Sequence, residues 1–280
     1  MAALRNLTPA LQRIFTFITV LLIIGYITLS AMAILFAERM IFPYRDSSYG
    51  PPLSGLTILH AKDGTPVAAR YWEAPSARHL VLLFHGNYED IGQLDHIASH
   101  IIHLGYSVLS MDYRGYGLSG GTPTEKNCYS DARLILRHAR SLGFDHSSII
   151  LWGRSVGSGP ATQLALEINA RALVLESPFT TAFRNFTHIP LLPFDKFNNL
   201  AKIDKIRSPL FILHGTNDTV IPSWHSLKLL DRHRHTKLLH LVDGAGHNDL
   251  WTKDLREALL KLTGLVDSHD SSPSRLPDTR

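Results

Sequence analysis

With 280 residues, 45% hydrophobic and 19% charged, the chain is long enough for one large α/β domain or at most two small ones, and it is not a disordered, collagen-like or coiled-coil protein. Its single cysteine, Cys128, excludes an intrachain disulfide and a cysteine-based zinc site. The formal charge of +4 is scattered and falls in no RNP, zinc-finger or homeodomain pattern, so it is a surface bias with no nucleic-acid partner implied.

A flank, 1–13, carries Arg5 and Arg13. From Ile14 to Ala37 there is no charged residue, and about 20 apolar residues suffice to cross a hydrocarbon core as a helix. A cleaved signal peptide is the competing reading, with Ala31-Met32-Ala33 as its small-residue site. The apolar run continues past that site through Ile34, Leu35 and Phe36, which favours a retained transmembrane anchor. Arg5 and Arg13 balance Arg39 and Arg45 across the span, and the α-amine tips the count towards an inside N-terminus. The expectation is a single-pass membrane protein with its main domain on the non-cytoplasmic side. Two sequons, Asn185-Phe186-Thr187 and Asn217-Asp218-Thr219, fall in that domain. A glycan at the second would crowd a candidate catalytic carboxylate, so either that sequon is unused or the domain meets no glycosylation machinery.

A proline-bearing stalk, 38–54, leads into a domain over 55–265. Strand-like runs cover Leu56–His60, Val67–Trp72, His79–His85, Ser107–Asp112, Ser148–Trp152, Ala172–Glu176, Leu210–His214 and Leu238–Val242. Several are continuously apolar, which predicts a mostly parallel eight-stranded sheet buried on both faces by helices. Asp63-Gly64 joins the first two runs as an antiparallel hairpin. Helical spacing recurs from Ile91 to Ile101, ending at Gly105, and from Ala132 to Ala139, ending at Gly143; Gly157–Asn169 and Leu250–Leu262 give two more helices. A small cap is expected over 180–207, and the Ser/Pro/Asp-rich tail, 266–280, is expected to be disordered.

Four strand ends carry the chemistry. Gly153-Arg154-Ser155-Val156-Gly157 is a G-x-S-x-G placed between an apolar strand and a helix, the context in which such a serine is lifted above a sheet as a nucleophile. An oxyanion needs two convergent N–H donors, expected from the backbones of Val156 and of Asn87 in His85-Gly86-Asn87. His85 itself reads as a loop-shaping residue. Asp218, after Leu210–His214, is the expected acid, with Glu176 as its rival at the end of the preceding strand. His247, in Gly244-Ala245-Gly246-His247, is the expected base. The order Ser155, Asp218, His247 is that of a nucleophile–acid–histidine hydrolase.

Other candidates have plainer readings. His96 and His100 share a helix face at i, i+4 but lack a third ligand, so no metal is expected. His233 and His235 lie in a charged Asp-Arg-His-Arg-His stretch and are expected to be solvated. Asp112–Gly117 is glycine-rich but lacks a P-loop lysine, which leaves Asp112 and Arg114 as loop braces. No cofactor is implied. The apolar cap residues Phe183, Phe186, Ile189, Leu191, Leu192, Phe194 and Phe197 either pack on the sheet or form a lid over an acyl pocket.

Taken together, these motifs resemble the α/β-hydrolases, and more narrowly the membrane-anchored α/β-hydrolase domain proteins related to the fission-yeast bud-emergence homologue. The resemblance runs from Met40 to Thr263 through Ile41-Phe42-Pro43, Asp63-Gly64, His85-Gly86-Asn87, Asp112–Gly117, Gly153–Gly157, Glu176-Ser177-Pro178-Phe179, His214–Asp218 and Gly246-His247. It implies serine hydrolysis of esters or thioesters, often lipidic, without fixing the substrate or any protein partner. Tyr88 departs from the small residue relatives carry there, and a bulky ring at that place is expected to narrow the acyl site. The motifs are also similar to those of serine aminopeptidases, which makes a peptidase the alternative activity. An enzymatically silent scaffold is a third reading, disfavoured by the complete set of triad residues.

Overall fold

A computed structural model describes residues 8–43, 46–185, 187, 189, 191–192 and 194–268. Arg5, Arg45, Phe186 and positions 269–280 of the tail, on which expectations were placed above, lie outside the described residues. The chain divides into two units, Met1–Phe42 and Pro43–Arg280.

The first unit is a helix, α1 (Pro9–Ile41), of 33 residues. Pro9 sits in its first turn, where a missing N–H costs no helical hydrogen bond. The helix takes in the whole uncharged run and also Glu38–Ile41, the start of the expected stalk. At 1.5 Å per residue it is about 50 Å long, more than the roughly 30 Å of a hydrocarbon core. It is the one helix among the described residues long and apolar enough to cross a membrane.

The second unit is built on one eight-stranded sheet: β1 (Leu56–His60), β2 (Pro66–Trp72), β3 (Leu80–Phe84), β4 (Ser107–Met111), β5 (Ile149–Arg154), β6 (Ala172–Glu176), β7 (Leu210–Gly215) and β8 (Lys237–Val242). The spatial order is β1-β2-β4-β3-β5-β6-β7-β8. β2 is antiparallel to both β1 and β4, and every pairing from β4 through to β8 is parallel. All five residues of β3, β4 and β6 are buried, as parallel strands covered on both faces must be.

Helices α2 (Asp95–His103) and α6 (Arg256–Ser268) cover one face. Ile97, Ala98 and Ile101 share a core there with Ala258, Leu262 and Val266 and with Val81, Val108 and Trp152 from the strands. On the other side α3 (Glu125–Ser141) and α4 (Ser158–Glu167) pack against each other and on the central strands. Fully burying one such Leu or Ile contributes about 1.5–3 kcal/mol, so the strands hold their register chiefly through these faces.

Four expectations change. A helix absent from the sequence reading, α5 (Trp224–Arg232), follows β7. Its buried face holds His225 and Ser226 beside Leu229, while Leu227 points outward, so polar residues mask its hydrophobic period. The last expected helix is broken: a short turn at Leu250–Thr252 precedes α6, whose first amide, at Arg256, donates to Asp254 Oδ1 at 3.0 Å. α6 then runs to Ser268, so the tail begins later than 266; Val266 is fully buried and its carbonyl accepts from Arg171 Nη2 at 2.7 Å. His233 is buried rather than solvated, because its ring turns back to place Nδ1 3.1 Å from the Ile203 carbonyl; His235 is exposed.

Candidate active site

The parallel strands end together at one edge, and their register sets the site. Phe84 pairs with Gly153, Arg154 with Glu176, and Glu176 with Leu213. The loops after β3, β5, β6, β7 and β8 therefore emerge side by side.

Ser155 follows β5 directly and has φ of +51°, a left-handed conformation that a non-glycine residue rarely adopts. Such a residue costs roughly 1–2 kcal/mol and persists because its surroundings fix it. The strain arises from a tight strand-to-helix turn in which a Cβ at Gly157 would lie 2.0 Å from the Phe84 carbonyl oxygen, and one at Gly153 would lie 2.4 Å from the Gly157 oxygen. The two glycines of the motif are thus required by close backbone approach, not by the chemistry.

The structure brings Ser155, His247 and Asp218 together. His247 Nε2 is 3.1 Å from Ser155 Oγ, and His247 Nδ1 is 2.7 Å from Asp218 Oδ2. With Nδ1–H donating to the carboxylate, the Nε2 lone pair faces the serine hydroxyl. Asp218 reaches this place because the ends of β7 and β8 abut. A Cβ at Gly215 would meet the Ala245 oxygen at 2.2 Å, and Asn217 N–H donates to that same oxygen at 2.8 Å.

Asp218 is held from several sides. Its Oδ1 accepts from the Val220 and Ile221 amides at 2.9 and 2.7 Å. His214, fully buried at the end of β7, places Nε2 3.3 Å from Oδ2. Burial opposes the charged carboxylate, but the hydrogen bonds from His214, His247 and Ile221 and the charge of His247 outweigh it and hold Asp218 well below the usual carboxylate range. The sequence shows His214 four residues before Asp218 at a strand end but gives it no role. The Ser226 hydroxyl, on α5, orients its ring at 2.6 Å from Nδ1.

Glu176 occupies a different environment. It is fully buried and accepts from Trp152 Nε1 at 3.2 Å and from Trp251 Nε1 at 3.0 Å, with Arg154 Nε 3.0 Å away. Burial raises its pKa despite those donors. Its oxygens are occupied, and the structure sets Asp218, not Glu176, against the imidazole.

Val156 is buried in the turn that leads into α4, and Gly86, which precedes Asn87, lies beside the nucleophile: a Cβ there would be 3.8 Å from Ser155 Cβ. Asn87 offers its carbonyl to Tyr116 Oη at 3.0 Å. His85 faces away, with Nδ1 2.7 Å from the Gly86 carbonyl and its ring against Tyr113. Tyr88 is 65% exposed, so its ring points outward and does not fill the site. Arg114 forms a two-pronged pair with Asp131 at 2.8 and 3.0 Å, and Asp112 accepts from the Ile91 amide and Tyr49; both brace loops. His96 and His100 stack edge-on at the exposed face of α2. Among the described residues no three His, Cys, Asp or Glu side chains converge as a metal site.

The segment 180–207 is tied to the start of α4 and to the loop after β6. Asn199 Nδ2 donates to Ser158 Oγ and to the Phe179 carbonyl at 3.1 Å each, and the buried Phe197 ring closes on Gly159 at the start of α4. Ile189 and Leu191 remain exposed. A cleft of about 340 Å³ opens between the cap and α5, lined among others by Leu192, Phe194, Leu200 and Trp224.

Comparison with known proteins agrees with this fold. The profile of a hydrolase family described as serine aminopeptidase, S33, matches residues 75–198. Human alpha/beta hydrolase domain-containing protein 17B is 39% identical over 186 residues, 63% of each chain, and mouse protein 17C is 38% identical over 186 residues, 63% of this chain and 57% of that one. The chain has the α/β-hydrolase fold and is similar in sequence to members of that superfamily. Its match spans a little under two-thirds of those relatives' length. Among solved structures, an esterase from Pyrococcus furiosus superposes with a TM-score of 0.64 at 18% identity, covering 81% of this chain and 96% of that one. A monoglyceride lipase from Saccharomyces cerevisiae, a soluble variant bound to a substrate analogue, gives 0.58 at 17% identity, covering 80% and 99%. At such identities these two hydrolases share the fold alone with this chain.

Proposed function

We propose that the chain is a membrane-anchored serine hydrolase of carboxylic esters or thioesters. The observation that carries this is the hydrogen-bonded line from Ser155 Oγ to His247 Nε2 and from His247 Nδ1 to Asp218. In this reading His247 takes the Ser155 proton as Oγ attacks the carbonyl carbon. The backbone N–H groups of Val156 and Asn87 receive the oxyanion. Collapse of that intermediate expels the alcohol or thiol, protonated by His247, and leaves an acyl-Ser155 ester. Water, deprotonated by His247, then releases the acid. Asp218 stays ionised throughout and keeps the imidazole in the Nδ1–H tautomer.

The cleft beside the cap has a mixed lining, with Leu192, Phe194, Leu200 and Trp224 beside Arg184, Asp195 and Lys228, and includes neither Ser155 nor His247, so it sets no acyl-chain preference. α1 supplies the anchor, and Pro43 onward carries the chemistry. A peptidase would need free acids in the cap to hold a substrate amine. Asp195 already accepts from Thr181, Phe183 and Lys196, and Asp204 lies 3.4 Å from Arg232. A panel of acyl esters and thioesters of graded chain length, run beside an aminoacyl arylamide, tests the reading. Turnover of the esters is expected. Turnover of the arylamide alone would replace the esterase by a peptidase.

A further inference from the structure

Beyond the three aligned residues, a second polar chain runs through the site, and the proposed mechanism leaves it unused. It starts at Glu89, in the loop after β3. Glu89 Oε1 accepts the Gly86 N–H at 2.7 Å, and Oε2 accepts from Arg154 Nη1 at 2.5 Å. Arg154, the residue immediately before Ser155, turns its Nε to Glu176 Oε1 at 3.0 Å. Glu176 in turn takes the indole N–H groups of Trp152, three residues before Ser155, and Trp251, four residues after His247. The side chains of Glu89 and Arg154 are 15% and 12% exposed and that of Glu176 only 1%, so these links are shielded from water and hold better than surface pairs.

The chain joins the three loops whose mutual placement the reaction requires. Gly86 touches the nucleophile's neighbourhood and precedes the peptide of Asn87. Arg154 fixes the strand end that carries Ser155. Trp251 backs the segment that carries His247, and its ring also lies 5.8 Å from that of Trp152. An oxyanion donor works only if it is already aimed at the developing charge, and a displacement of about 1 Å can cost up to 10²-fold in rate.

We infer that Glu89 is a positioning residue, which holds the Gly86–Asn87 loop through the Gly86 N–H and keys it to the nucleophile's strand through Arg154. This rests on the serine-hydrolase reading. The role needs an acceptor at Oε1, while Arg154 keeps Glu176 as a partner if the charge on Glu89 is removed. Glu89→Gln therefore preserves the contact to Gly86, and Glu89→Ala removes it.

The test is steady-state kinetics of the full-length protein on a short, water-soluble ester, with melting temperature measured in parallel. Glu89→Ala should lower kcat about 10- to 100-fold with KM changed less than threefold, the mark of a contact that matters in the transition state. Glu89→Gln should restore kcat to within about threefold of the parent, in keeping with a retained acceptor. If Glu89→Ala lowers the melting temperature yet leaves kcat intact, or if Glu89→Gln falls as far as Glu89→Ala, the positioning role is wrong and the hydrolase stands. If the parent protein itself turns over no ester, the hydrolase reading fails first and takes this inference with it.

Discussion

The ends of β6 and β7 each carry a buried acid, and the two have opposite fates. Glu176, on β6, is surrounded by indole N–H donors and a guanidinium, and burial still raises its pKa. Asp218, just past β7, has two backbone amides on one oxygen and two imidazoles on the other, and its pKa is held low. Neighbouring strand ends of one sheet thus make one carboxylate a structural bolt and the other a partner for His247. The difference lies in the donors. Glu176 takes the indoles of Trp152 and Trp251 and the guanidinium of Arg154, whereas Asp218 Oδ2 takes the imidazole of His247 from the loop after β8.

The largest expected effect breaks that contrast directly. Asp218→Asn should lower ester turnover by about 10⁴-fold, because an amide favours the wrong imidazole tautomer. Glu176→Gln should cost no more than about tenfold, in line with a positioning change and not the loss of a reacting group. Turnover measurements on the two purified variants decide it, and the reverse ranking would transfer the acid's role to β6.

A second contrast concerns pH and is smaller. A base must be neutral to take the Ser155 proton, so kcat/KM should fall as the pH is lowered. Asp218 adds no second step there, because its pKa is depressed. A profile flat down to about pH 4 would exclude a histidine base.

The smallest effect is on stability, where the two acids should act with opposite signs. Asp218's lowered pKa gives stability that is complete above the unfolded carboxylate value of about 3.9 and is lost as the pH falls through the folded value. For Glu176, raised by burial, the folded state binds more protons than the unfolded one, so its contribution falls as the pH rises above about 4.3. Denaturant unfolding at a series of pH values should therefore show Asp218→Asn flattening the acid-side loss and Glu176→Gln flattening the decline above it. Equal and parallel curves for the two variants would contradict the comparison.

Much of this site was legible in the sequence because motif spacing and strand alternation report the same geometry. G-x-S-x-G between an apolar run and a helix pointed to Ser155, the end of the strand Leu210–His214 pointed to Asp218, and the glycines at 244 and 246 pointed to His247. The rest depends on contacts between distant residues. No local signal says that Glu89 would reach Gly86 and Arg154, nor that Trp251 would turn its indole to Glu176 across 75 positions. His214 sat beside a recognised aspartate, yet its role appears only when α5 brings Ser226 to its ring. α5 is hidden for a different, local reason, since His225 and Ser226 share its buried face with Leu229 and mask the hydrophobic period. His233 misled in the opposite sense, because a charged stretch conceals one inward-facing ring.

The central claim is that Ser155 is a nucleophile activated by His247. Its most direct measurement is reaction of the purified full-length protein with a fluorophosphonate, followed by intact mass and peptide mapping. One adduct per chain, on Ser155, is expected, with no adduct in Ser155→Ala and a labelling rate that collapses in His247→Ala. An adduct on another residue, or labelling that persists in Ser155→Ala, would contradict the account.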